Sequence, residues 1–347
     1  MRLAKLATAL VCAISLVSAV PAAAKVGSWT RTPVPISKGD IAAVAALTDR
    51  DAWAVGYRLR STTSLQAVAL RWNGTGWAQE SALPAETYPQ ALAVRSATDI
   101  WEVGSGSSHW NGRTWTKHAL ERGMVPEAVA AVPGGGVLAV GMNTPGSIKD
   151  GVPDVQSWDG TRWRRQVLPQ LGKGGLTSIA ALAPDDVWAA GYTTGGTQTT
   201  LVVHWDGRTW RKVDAPSAVG ANTWISGLTA VGPGEVWAVG GSVKGSAERP
   251  FVMRWDGRAW TATQTPDVAD GRLRAVGRTG GGELWAVGGK GSVTVALRWN
   301  ATARRWDTES SPDISVRGFA AVPQSGGLWA VGIARQGDLV PAIARYD

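Results

Sequence analysis

Few side chains in this 347-residue chain could carry acid–base, nucleophilic or metal chemistry, and their spacing keeps them apart. The only cysteine, Cys12, lies in an apolar run near the N-terminus, so the rest of the chain holds no thiolate, disulfide or cysteine–metal site. His109 and His204 occupy one repeat position, each directly before a tryptophan, where other copies carry Arg71, Arg254, Arg298 and Arg345. Two histidines in different copies of a repeat are too far apart to share a metal. His118 is expected on an outer strand. No carboxylate pair, Ser–His–Asp arrangement or phosphate loop emerges, and Gly280-Gly281-Gly282 lies between strand signals with no helix after it. The sequence therefore predicts no catalytic residue, no metal site and no cofactor.

Binding groups are more plentiful. The formal charge is +8. Arg113, Arg162, Arg208 and Arg258 recur in one turn of the repeat, and Arg164, Arg165, Arg211 and Lys212 follow a recurring tryptophan. Cations spread over equivalent positions read as guanidinium groups stacked on tryptophan and as a solvated rim. A nucleic-acid surface would need a basic stripe interleaved with exposed aromatics. The pattern lacks one, so no nucleic-acid partner is expected.

The elements that position these groups follow from the 20 tryptophans, set against only 2 phenylalanines. One column is Trp53, Trp101, Trp188, Trp237, Trp285 and Trp329, with Leu138 in the third place. A second is Trp72, Trp110, Trp158, Trp205, Trp255 and Trp299, closed by Tyr346. The third is Trp77, Trp115, Trp163, Trp210, Trp260 and Trp306, with Trp29 as its displaced member. The first column steps by 37 to 50 residues, the period of a propeller blade. Each unit reads as four short apolar runs separated by Gly, Pro and Asp-Gly turn signals, hence as four antiparallel strands. Seven first strands occur but only six complete units. The seventh stops at Tyr346-Asp347, and Gly27-Ser28-Trp29 rebuilds its missing piece. The expected fold is all-β: a seven-bladed β-propeller of four-stranded antiparallel blades, closed by the N-terminal strand completing the last blade. The columns are read as packing between blades.

Two features are left over. Trp224 stands outside the columns at the end of a loop between blades, so it either stacks on a ligand or packs over its own blade. Aligning the first strands puts Gln90, Glu127, Thr177, Ser226, Arg274 and Arg317 at one position, with Ala42 in the first blade. These residues are expected near the channel mouth on the face bearing the second-to-third-strand and between-blade loops. There Glu127 would look across to Arg274 and Arg317. An arginine pair near a carboxylate can hold an anionic sugar or carboxylate ligand; the plainer alternative is a solvated polar channel.

The glycine or glycine pair closing the second strand (Gly240-Gly241, Gly288-Gly289), an aromatic with Asp in the third strand and a Trp opening the fourth together resemble a Kelch-type blade. That group includes the galactose-oxidase propeller. The resemblance covers almost all of residues 27–347 and implies the fold, not an activity. The copper site of galactose oxidase, which needs a cysteine cross-linked to a tyrosine, is absent. A sialidase-type Asp-box fails because Ser157-Trp-Asp-Gly-Thr-Arg-Trp163 is one residue too short, and the WD-repeat spacing matches less well.

Arg2 and Lys5, the apolar run Leu6–Val20 and the small residues Ala22-Ala23-Ala24 read as a signal peptide over 1–24. Residues 25–347 then form a single propeller domain, secreted or associated with the cell envelope. No later stretch is long enough to span a bilayer. The function expected is that of a monomeric, non-enzymatic binding or scaffold protein recognising a glycan, peptide or cell-envelope component through its loop face. Two alternatives stay open: an extracellular polysaccharide hydrolase or lyase using the channel, and an assembly partner of another protein.

Overall fold

The computed structural model describes residues 27–347 apart from 62–63, 86, 145, 269–270, 291–292 and 335–339. The signal peptide expected over 1–24 lies outside the described residues. The described chain forms seven four-stranded antiparallel sheets. The first strands are Gly39–Thr48, Pro89–Ser96, Met124–Ala131, Gly174–Ala183, Asn222–Gly232, Leu273–Arg278 and Ile314–Ala321. Each packs against the next, and the seventh packs against the first, so the sheets close into a ring around a channel.

The seventh sheet settles how the ring closes. Its order is Trp29–Thr32, Pro341–Tyr346, Leu328–Ala334 and Ile314–Ala321, with Trp29 opposite Tyr346 and Thr32 opposite Ile343. The backbone amide of Ser28 also donates to the carbonyl of Asp347 at 3.2 Å. One blade is thus shared by the two ends of the chain, and Pro341–Tyr346 is not left as an open outer edge.

The tryptophan columns hold neighbouring blades together. Trp53 of blade 1 lies 5.5 Å from Trp110 and 6.2 Å from Trp115 of blade 2. Trp101, Trp188, Trp237 and Trp329 repeat the contact with the second- and third-column tryptophans of the following blade. Trp285 meets Tyr346. Distances of this order, with tilted or edge-to-face rings, are those aromatic pairs prefer. An arginine or a histidine from the third strand covers each first-column ring. Arg71, Arg254, Arg298 and Arg345 lie over Trp53, Trp237, Trp285 and Trp329, while His109 and His204 stack on Trp101 and Trp188. The histidines also bond Asp99 and Asp186 at 3.0 and 2.9 Å. They are ring covers, equivalent to the arginines.

Every first strand carries a β-bulge. The register shifts between Ile41 and Ala43, Pro89 and Ala91, Pro126 and Ala128, Leu176 and Ser178, Ile225 and Gly227, Leu273 and Ala275, and Val316 and Gly318. A bulge leaves one residue without a partner and turns it off the ladder. Opposite each bulge the second strand carries a glycine: Gly56, Gly104, Gly141, Gly191, Gly240, Gly288 and Gly332. A Cβ there would strike a first-strand carbonyl oxygen, for example that of Trp224 above Gly240. The recurring glycine is therefore a requirement of close backbone approach.

Candidate functional site

The seven bulged residues are Ala42, Gln90, Glu127, Thr177, Ser226, Arg274 and Arg317, the residues aligned from the sequence. The bulges lie near the starts of the first strands, at the end of the channel where the second-to-third-strand loops gather. Two residues upstream runs a second tier: Asp40, Tyr88, Val125, Gly175, Trp224, Arg272 and Ser315. Its equivalence is marked by the carbonyl that each residue places over the glycine of its blade. Trp224 belongs to this tier.

The two tiers are not evenly charged. Arg317 Nε donates to Asp40 Oδ2 at 3.0 Å, tying blade 7 to blade 1. Asp40 is 6% exposed, and its burial raises the carboxyl pKa despite the Arg317 charge beside it. Arg272 Nη1 lies 3.6 Å from Glu248 Oε1. Arg274 stands between these pairs. Burial lowers its pKa to about 10, and the positive charges of Arg272 and Arg317 push the same way; Glu248 and Asp40 only partly oppose them. Among the described residues Arg274 has no hydrogen bond or ion pair. Three guanidinium groups thus converge on blades 6 and 7 with two carboxylates at their margins.

Glu127 lies elsewhere. Its pKa is raised by burial alone, without an arginine contributing, and its charge acts on Tyr192. The carboxylate that holds Arg317 is Asp40 and not Glu127. Gln90 is exposed on blade 2. Thr177 donates to the carbonyl of Ile225 and so fastens blade 4 to blade 5. The ring of Trp224 lies over Gly241 of its own blade and against Cβ of Arg272, since a Cβ on Gly241 would meet both. This explains the glycine pair: Gly240 answers the bulge and Gly241 answers the indole.

Asp40, Arg272 and Glu248 were not picked out from the sequence. For Asp40 and Arg272 the signal was there, two positions before the aligned ring. Glu248 was hidden because Gly240–Pro250 reads as a loop, whereas the strands Glu235–Lys244 and Ala247–Trp255 run through it and leave a two-residue turn. Among the described residues no group of three or more metal-ligating side chains occurs. No described helix is long and apolar enough to cross a membrane.

No family model matches the chain, and no curated protein matches it. Solved structures do. A structure titled YCF48 bound to D1 peptide aligns over 94% of this chain and 96% of its own, at 13% identity and a TM-score of 0.61. A streptogramin B lyase aligns over 92% and 97%, at 13% identity and a TM-score of 0.66. The WD40 propeller domain of Doa1 aligns over 92% and 97%, at 10% identity and a TM-score of 0.63. At such identities the likeness establishes the fold alone, a β-propeller shared by binding proteins and lyases.

Proposed function

We propose that the protein is a secreted, non-catalytic recognition module that binds a carboxylate-bearing segment of a glycan, peptide or cell-envelope component at the channel mouth. The observation that carries this reading is Arg274, half-buried between Arg272 and Arg317 and bonded to no described acid. Crowding guanidinium groups is unfavourable in the free protein, and an arriving carboxylate relieves it through paired N–H donors. Trp224 supplies an aromatic edge at the same margin. A propeller that holds a peptide, as in the YCF48 structure, favours a peptide among these partners. Secretion rests on the Arg2/Lys5, apolar-run and Ala22-Ala23-Ala24 pattern. The Kelch-type assignment rests on the glycines that close each second strand.

The test is an array of acidic and neutral peptides and glycans on residues 25–347, read at two salt concentrations. Binding of acidic members is expected to fall at least tenfold in Arg274→Ala/Arg317→Ala, about 1.4 kcal/mol or more. Affinity that survives the double change removes this reading. Uniform polyanion binding that disappears in salt would also remove it, because it would reflect charge alone.

A hydrolase or lyase acting at the channel is the second reading, favoured by the coupling of Glu127 to Tyr192, two groups whose pKa values burial raises. Turnover of an array member that is lost in Glu127→Gln would establish it.

A further inference from the structure

The junction between blades 3 and 4 departs from the others. At five of the other six junctions a first-column tryptophan is seated against the second- and third-column tryptophans of the next blade, as Trp188 is against Trp255 at 5.0 Å and Trp260 at 5.6 Å, and at the sixth Trp285 meets Tyr346. At this junction Trp205 and Trp210 keep the mutual contact found in the other blades, at 5.8 Å, but the residue facing them is Leu138. The covering groups change with it. Gly136 stands where blades 1, 2, 4, 5 and 6 have Asp51, Asp99, Asp186, Glu235 and Glu283. Ser157 pairs with Leu138, where every other blade sets arginine or histidine against its tryptophan. Blade 7 has Gly327 at the acid position but keeps both Trp329 and Arg345. Only blade 3 loses the ring, the acid and the covering arginine or histidine together.

The result is a cleft of about 270 Å³ between Leu138, Trp158, Trp205 and Trp210, floored by Val132 and Val187. It opens on the side of the first-to-second-strand turns, away from the channel mouth. Apolar cavities of roughly 150 Å³ hold a benzene ring, so this volume accommodates an indole or phenol. Its polar edge carries Ser157 and Gln166: Ser157 Oγ accepts from Gln166 Nε2 at 2.7 Å, which leaves the Ser157 proton free to meet an acceptor on a ligand.

We propose that this cleft is a binding site for a single planar aromatic ring, taking the place that the protein's own tryptophan fills at the other junctions. The walls are tryptophan rings set for aromatic contact, which a ring satisfies better than an alkyl group of equal volume. The site is independent of the arginine cluster.

Calorimetric titration of the protein with indole tests the proposal. One saturable site is expected, with cyclohexanol binding at least tenfold more weakly. Leu138→Trp is expected to raise the melting temperature and weaken indole at least tenfold, because it restores the internal ring. Should that variant fail to fold, Ser157→Arg, which adds the cover used in blades 1, 5, 6 and 7, is expected to weaken indole as strongly. No binding to the unaltered protein, equal affinity for cyclohexanol, or affinity unchanged in both variants would overturn it. N-acetyl-tryptophanamide binding as tightly as indole would assign the ring to a peptide side chain, and exclusion of the amide would assign it to a free aromatic; either supports the site.

Discussion

Glu102 is the residue at which this scaffold departs furthest from its own pattern. The other blades place alanine at its position: Ala54, Ala139, Ala189, Ala238, Ala286 and Ala330. Its cross-strand partner is Ser108, where blades 4, 5 and 6 have Val203, Met253 and Leu297. A longer side chain thus faces a shorter one. By strand alternation Glu102 shares the face of Ile100, which packs with Trp53, Val55 and Ala69. The side chain is fully buried, and burial pushes its carboxyl up to about 8, with the Ser108 hydroxyl opposing only in part. A folded-state pKa above the unfolded value contributes stability that is whole below the unfolded value near 4.5 and is lost as pH rises through 8. The loss is on the order of several kcal/mol. Thermal unfolding from pH 6 to 9 is expected to show a falling melting temperature, and Glu102→Gln is expected to flatten it. A flat profile in the unaltered protein would refute this. The break in the alanine column could be seen in the sequence, but its consequence depends on which face of the strand meets the neighbouring blade.

At the scale of the blade, the unit of construction is the bulge and its glycine. The seven bulged residues could be aligned from apolar spacing alone, because one unpaired residue sits at the same place in every first strand. The bulge itself was not legible, since an extra residue in a run of small apolar side chains leaves no compositional mark. Its energetic trace is the facing glycine. Gly240→Ala would drive a Cβ into the Trp224 carbonyl and to within 2.9 Å of Ile225 Cα, both backbone atoms. A loss of about 1–3 kcal/mol is expected, as for other overpacked sites. Gly232→Ala, with nothing within 4 Å of the new Cβ, is expected to stay within roughly 0.5 kcal/mol of the unaltered protein. Denaturant unfolding of the two variants separates a need for close approach from a general intolerance of alanine. The arginine cluster belongs to this scale too. It joins Arg317 of one blade to Asp40 of the next and Arg272 to Glu248, so aligning single repeats exposed its members unevenly.

Ring closure is a property of the whole molecule, and it was the most legible feature. A repeat that lacks its last strand at one end and carries a spare Trp29 at the other admits little else. Trp29 lies 5.4 Å from Tyr346 and donates its indole N–H to the Ser310 carbonyl at 2.9 Å. Trp29→Ala is expected to cost about 2 kcal/mol, below the roughly 3–5 kcal/mol of a fully buried tryptophan because Trp29 is partly exposed. Thermal unfolding should also become less cooperative, since the seventh sheet loses the anchor of its outer strand. A melting curve unchanged in midpoint and width would mean that the ring holds without this lock.

The pairing of Trp29 with Tyr346 also imposes an order in time. The first of the described strands, Trp29–Thr32, has no partner until the last of them, Pro341–Tyr346, has left the ribosome. At translation rates of about 5–20 residues per second, that is a wait of roughly a quarter of a minute to a minute. Blades 1 to 6 contain all their own strands and can assemble as they emerge, whereas the seventh is completed only once Pro341–Tyr346 has emerged.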